Sequence, residues 1–155
     1  MLRNGVGMFN FTDKFDIIEN DELILQITEK FPGDDKLIPF YYYDIVRKSD
    51  MKTAGKISIR IGNNFHSYYN GHIGYEIFEE CRGNKLAYKA CKLVIQIAKF
   101  HGMDFIYLTC NESNIPSYKT IERFGAELVE MAVVPKEYFA WREGMERQRI
   151  YKLVL

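Results

Sequence analysis

Residues 71–100 read GHIGYEIFEECRGNKLAYKACKLVIQIAKF, and the spacing of the apolar positions changes inside this stretch. Gly71 to Phe78 reads as a strand. From there Leu86, Ala90, Leu93, Val94, Ile97 and Ala98 recur at three- and four-residue steps, the mark of an amphipathic helix. Lys99 and His101 in its last turn suit the negative end of the helix dipole, and Gly102 ends it. Phe105 to Cys110 is an apolar run short enough for a buried strand. A strand, a helix and a strand in that order imply a parallel pair joined by a right-handed crossover.

Upstream, Leu23, Leu25 and Ile27 alternate with Ile24, Gln26 and Thr28, a strand that Pro32-Gly33-Asp34-Asp35 breaks with turn chemistry. Strands are predicted over Phe40–Arg47 and about Gly55–Ile61, with turns at Ser49-Asp50 and Gly62-Asn63-Asn64. With Gly71–Phe78 they form an antiparallel meander. Downstream, Asn114 to Phe124 is a second helix, with Asn114 as N-cap, Pro116 in the first turn and Gly125 as the stop. Leu128–Val134 and Gln148–Leu155 close the chain as strands, and residues 1–20 carry no clear pattern. The fold class is therefore α+β: a mixed, mostly antiparallel central sheet with helices on both faces, in one domain over residues 1–155.

Composition narrows the function. Twenty-one basic and twenty-one acidic residues cancel, so no global field favours nucleic acid or an anionic membrane. No apolar run approaches the eighteen residues of a spanning helix, and Met1–Asn10 lacks the features of a secretory signal. Cys81, Cys91 and Cys110 are odd in number and lack metal-ligand spacing, which suits reduced thiols in the cytoplasm. His66, His72 and His101 have no helical metal spacing either, so no metal is expected. A homodimer pairing through a C-terminal edge strand and a monomer are equally consistent with the sequence.

The chemistry concentrates at Cys81-Arg82-Gly83-Asn84-Lys85-Leu86-Ala87. A glycine-containing turn that opens a helix leaves backbone N–H groups without intrahelical partners at the positive end of the dipole, a ready pyrophosphate site. Arg82 and Lys85 add cationic contacts. The plain alternative is an ordinary strand-to-helix turn.

This loop resembles the acyl-CoA loop of the GNAT acetyltransferase superfamily, Arg/Gln-x-x-Gly-x-Gly/Ala. Arg82 and Ala87 match its ends, and Lys85 stands at the central glycine, where it still offers its N–H if φ is negative. Downstream, NESNIPSYKTIERFGA resembles the superfamily's Asn-x-x-Asn-x-x-Ser segment ending in Gly-Phe, through Asn111, Asn114, Ser117, Glu122 and Gly125. GHIGYEI is similar to the family's fourth strand. The resemblance covers about residues 40–155, and the family's N-terminal strand and helix pair is short or missing in residues 1–20.

The resemblance implies acetyl-CoA as cosubstrate, with no metal, and a small-molecule or peptide amine as acceptor. It implies that the N–H groups of Arg82, Gly83, Asn84, Lys85, Leu86 and Ala87 hold the pyrophosphate. The edge at Ile77 and Phe78 would pair with the pantetheine arm, and Asn114 and Ser117 would bond its far end. Asn114 has helix capping as its plain alternative. For catalysis it implies Glu76 as general base and, because Ile121 occupies the usual tyrosine position, Tyr118 as acid. The aromatics Phe40-Tyr41-Tyr42-Tyr43, Tyr68-Tyr69 and Tyr75 mostly fill the core. Some line an acceptor pocket, with Arg60 or His72 as a polar contact. Two other readings stand beside the enzyme: a catalytically silent CoA-binding sensor of the same fold, and an interaction protein using an aromatic sheet face.

Overall fold

The alternation seen from Leu23 onward is that of a strand with one buried face, and in the computed structural model it builds a five-stranded antiparallel sheet. The structure describes residues 9–155, so most of Met1–Asn10, read above as no secretory signal, lies outside the described residues. The strands are β1 (Ile17–Glu19), β2 (Leu23–Phe31), β3 (Phe40–Arg47), β4 (Lys52–Arg60) and β5 (Ile73–Ile77), in sheet order 1-2-3-4-5. Tyr41 stands opposite Ile59, Tyr43 opposite Ile57, and Ile57 opposite Tyr75. These odd-numbered residues share one face, where Leu23, Leu25, Tyr41, Tyr43, Ile45, Ile57 and Ile59 are fully buried. Each buried aliphatic side chain contributes roughly 1.5–3 kcal/mol. The buried phenols keep their polar ends satisfied: Tyr43 donates to the Phe15 carbonyl at 2.7 Å, and Tyr41 accepts from the Thr12 N–H at 3.0 Å.

Helix α2 (Leu86–Phe100) covers this face with Ala90, Val94, Ile97 and Ala98, the residues its period singled out. A second sheet, ordered 6-8-7 and also antiparallel, holds β6 (Phe105–Asn111), β8 (Gln148–Val154) and β7 (Glu127–Ala132). Helix α3 (Ile115–Arg123) packs on β6 through the buried Ile121. A short helix, α1 (Phe65–Asn70), packs on the opposite side of β6, with Tyr68 against Tyr107. Helices thus lie on both faces.

Three expectations change. First, residues 65–70, which no pattern assigned, form α1, so Tyr68 and Tyr69 lie on a helix. Asn64 and Ser67 form a reciprocal capping box that starts it: the Ser67 N–H donates to Asn64 Oδ1 at 2.7 Å, and the Asn64 N–H donates to Ser67 Oγ at 2.9 Å. Second, residues 17–19 form β1, although no pattern marked them; residues 9–20 contain no helix. Third, the parallel ladder expected between β5 and β6 does not form. The His72 N–H donates to the Tyr107 carbonyl at 2.8 Å, but the Tyr107 N–H turns to the His72 ring, Nδ1 at 2.8 Å. Beyond that point the strands part, because the Tyr75 ring and the side chains of α3 occupy the gap.

Candidate active site

The turn into α2 is the most unusual backbone in the described chain. Gly83 has φ 106°, and the non-glycine residues Asn84 and Lys85 follow at 54° and 56°. Lys85, expected at negative φ, therefore adopts the left-handed conformation of the glycine it replaces. Each left-handed non-glycine residue costs on the order of 1–3 kcal/mol. The uncapped helix start that follows this turn leaves a backbone cradle of N–H groups without intrahelical partners. No side chain caps α2, the Leu86 N–H reaches only the Gly83 carbonyl at 3.4 Å, and those of Ala87 and Tyr88 have no acceptor among the described residues. A Cβ built on Gly83 would meet nothing within 4 Å, so the cradle opens to solvent. Unpaired N–H groups at a helix start are donors of the kind that hold an anion.

The edge of β5 is arranged differently from the expectation. Gly74 and Glu76 turn their peptide groups to β4, as does the Phe78 N–H, which donates to the Ala54 carbonyl at 2.8 Å. The peptide groups of Tyr75 and Ile77 therefore face the gap. Arg82 Nε donates to the Ile77 carbonyl at 3.2 Å, holding the guanidinium against the end of β5.

Between β5, β6 and α3 lies a narrow cleft of about 20 Å³, lined by Ile73, Tyr75, Ser117, Thr120, Ile121 and Phe124. Tyr75, grouped with the core aromatics in the sequence, points its hydroxyl here, 3.2 Å from Ser117 Oγ. Burial is the main reason its pKa is raised, so it stays a protonated donor. The signal available in the sequence was alternation: Tyr75 lies on the face of Ile73 and Ile77, opposite Glu76.

Tyr118 is not among the cleft-lining side chains; its ring lies under the Arg149 guanidinium, 3.9 Å from the centroid. Asn114 caps α3, its Oδ1 accepting from the Ser117 N–H at 3.2 Å. Glu76 is exposed on the opposite face of β5, across the ladder from Lys56, whose ammonium bonds Asp44 at 3.1 Å. The three cysteines are buried and free, and burial raises the pKa values of Cys91, to about 12, and Cys110. Neither offers a ready thiolate.

His72, considered above as an acceptor contact, is fully buried. Nδ1 accepts from Tyr107 and Nε2 donates to the Gly62 carbonyl at 2.7 Å, so both nitrogens are committed to backbone. Among the described residues no group of three or more His, Cys, Asp or Glu side chains is placed to hold a metal ion, and no helix is long and apolar enough to cross a membrane.

A split sheet with a backbone anion cradle where a strand turns into a helix defines an acyl-CoA N-acyltransferase fold. The family model for the acetyltransferase (GNAT) domain matches residues 11–127. The chain belongs to the GNAT acetyltransferases and, as a member, is an N-acetyltransferase.

Similar solved structures include a Vibrio cholerae protein described as a ribosomal-protein-serine acetyltransferase. It is 13% identical at TM-score 0.66, over 94% of this chain and 100% of that one. A GCN5-related N-acetyltransferase from Brucella melitensis is 14% identical at TM-score 0.63, over 99% and 84%. A microcin C7 self-immunity acetyltransferase, solved with acetyl-CoA and AMP, is 23% identical at TM-score 0.55, over 75% and 61%. No curated protein matched the sequence.

Proposed function

We propose that the protein transfers the acetyl group of acetyl-CoA to a primary amine of a small molecule or peptide by direct attack, in the cytoplasm. The observation that carries this reading is the run of positive φ from Gly83 to Lys85 at the uncapped start of α2. With Lys85 in the glycine conformation, its departure from the family loop no longer favours a silent sensor.

The N–H groups from Gly83 to Tyr88 hold the diphosphate, and the peptide groups of Tyr75 and Ile77 that face the gap guide the pantetheine arm past Ser117. The bound cosubstrate supplies a thioester carbonyl. An amine at neutral pH is protonated, so Glu76 removes its proton, directly or through water. Tyr75, kept protonated, donates a hydrogen bond to the departing sulfur. Its raised pKa makes it a stabilising donor rather than a strong acid. Tyr118 remains a second phenol for the same task, and the two are separable by mutation.

Titration calorimetry with coenzyme A and acetyl-CoA tests the cradle; absence of heat with both refutes it. With a responsive amine, thiol release tests the rest. Glu76→Gln is expected to lower kcat about a hundredfold with CoA affinity unchanged. Tyr75→Phe is expected to lower kcat more than Tyr118→Phe. Full activity in Glu76→Gln removes Glu76 from the mechanism, and the reverse order of the tyrosine variants returns the role to Tyr118.

A further inference from the structure

On the face of the first sheet opposite α2, Arg60 ends β4 beside a cavity of about 140 Å³. That is far above the roughly 10–15 Å³ that admits one water. Lys36, Phe40, His66, Asn70 and Phe139 also line it, and none of its lining residues is acidic. The guanidinium is crowded by protein on its inner side and half-buried overall, open toward the cavity. Nη1 donates to the Gly71 carbonyl at 2.9 Å and, at 3.4 Å, to that of Asn70. No carboxylate pairs with Arg60 among the described residues. An arginine carries five N–H donors, so those on Nε and Nη2 are left without an acceptor among the described residues.

A desolvated charge without a counter-charge is unfavourable, and its desolvation is the main reason the Arg60 pKa is lowered. An isolated structural role would be met by any donor to the two carbonyls. The neighbouring groups are arranged for an anion as well. The Tyr138 hydroxyl donates to Asn70 Oδ1 at 3.2 Å, which leaves the Asn70 amide N–H₂ as the free end. His66 Nδ1 accepts from the Phe139 N–H at 3.1 Å, which fixes the proton on Nε2. Lys36 adds positive charge at the rim.

The position relative to Glu76 gives this cavity its meaning. A Cβ built on Gly74 would lie 2.8 Å from Arg60 Nη2, so the guanidinium rests directly on Gly74. Glu76 is two residues further along the same face of β5, about 6.6 Å away at the rise of a strand. Resting on the acetyltransferase reading above, we propose that the acceptor is an amine that also bears a carboxylate, of the amino-acid type. Its carboxylate pairs with Arg60 in this cavity, and its amine is presented toward Glu76. A fork of free N–H groups on Nε and Nη2 matches a carboxylate in bidentate geometry.

The test uses the full chain with acetyl-CoA and matched triplets: amino acids, their carboxamides and the corresponding decarboxylated amines. Thiol release and the melting shift caused by each acceptor alone are both measured. The expected result is that the acids exceed their carboxamides at least a hundredfold in kcat/KM, and that only the acids raise the melting temperature. Arg60→Gln is expected to abolish the discrimination through KM. Gly74→Ala provides a second route, because its methyl pushes the guanidinium off its seat while Arg60 and the fold are retained. It too is expected to raise KM for the acids and to leave coenzyme A binding unchanged. Carboxamides or plain amines turned over as well as the acids would overturn the proposal and leave the acetyltransferase reading standing. So would the absence of any melting shift or turnover with the acids in a protein that binds coenzyme A. Loss of coenzyme A binding itself sinks the broader reading instead.

Discussion

Where β5 and β6 part, one imidazole stands in for a rung of the ladder, and this predicts an acid-sensitive hinge. His72 is fully buried, and its pKa is lowered from 6.5 to about 4, mainly by desolvation. The bond from Nε2 to the Gly62 carbonyl favours the protonated ring and offsets part of this, whereas Nδ1, which accepts the Tyr107 N–H, can take a proton only by breaking that bond. In the unfolded chain the same ring binds its proton at the ordinary 6.5. Between these values the unfolded state holds more protons than the folded one. Stability is therefore complete above about pH 6.5, declines as pH drops toward 4, and His72 adds no further loss below. The whole interval is worth about 3 kcal/mol, and by about pH 4.5 roughly 2.5 kcal/mol is gone. For a chain of this size that is a decrease of about 5–10 °C in melting temperature. The assay is urea unfolding of the parent and of His72→Asn at about pH 7.5 and pH 4.5. Asparagine retains an acceptor near Nδ1 and does not titrate. It loses the bond to Gly62, so it should begin about 1–3 kcal/mol less stable at the higher pH. Carboxylate effects are common to both proteins and cancel on subtraction. The parent should lose about 2.5 kcal/mol more than the variant across the interval. Parallel losses, within about 0.5 kcal/mol, would refute the assignment of a buried neutral ring.

Two further substitutions probe the backbone. Lys85→Gly should raise stability by about 1 kcal/mol, because glycine holds the left-handed conformation without Cβ strain, and should leave coenzyme A affinity unchanged; a lower melting temperature would contradict the strain argument. Gly55→Ala should do the opposite, since its Cβ would lie 2.1 Å from the Glu76 carbonyl oxygen, a backbone atom that cannot rotate away. A loss of about 3 kcal/mol or more is expected in denaturant unfolding, and a loss below about 1 kcal/mol would mean that β4 and β5 yield easily there.

Much of the fold was legible because local pattern and tertiary environment agree. Phe40–Arg47 is a strand at both levels, since alternate residues meet either the core or the polar face. The apolar stripe of α2 is likewise the face the first sheet buries. What escaped reading depends on interactions across the chain. Helix α1 is only six residues long, too short for a period to declare itself, and its start rests on a box between Ser67 and Asn64, the last residue of the turn at 62–64. The missing ladder between β5 and β6 depends on His72 meeting Tyr107, thirty-five residues away, and on Tyr75 and α3 filling the gap beyond.

The site divides along the same line. The candidate cradle was visible because the loop is contiguous in sequence, although the sign of φ at Lys85 was not: the side chain argues for negative φ, and the backbone adopts +56°. The rest is assembled from separate strands. Tyr75 enters the cleft because it shares a face with Ile73 and Ile77, while Gly74 and Glu76 lie on the other face, Gly74 against Arg60 and Glu76 across from Lys56. One five-residue strand thus separates two kinds of chemistry by parity alone. Ile73 and Tyr75 line the cleft, and Gly74 seats the guanidinium that borders the cationic cavity. A one-residue slip of β5 would exchange the two sets, placing Glu76 among apolar side chains and Tyr75 under the guanidinium. Register is therefore as much a determinant of this site as any single side chain. The close approach of the Gly55 backbone to the Glu76 carbonyl holds β5 against β4, and the His72–Tyr107 pair holds the start of β5 against β6.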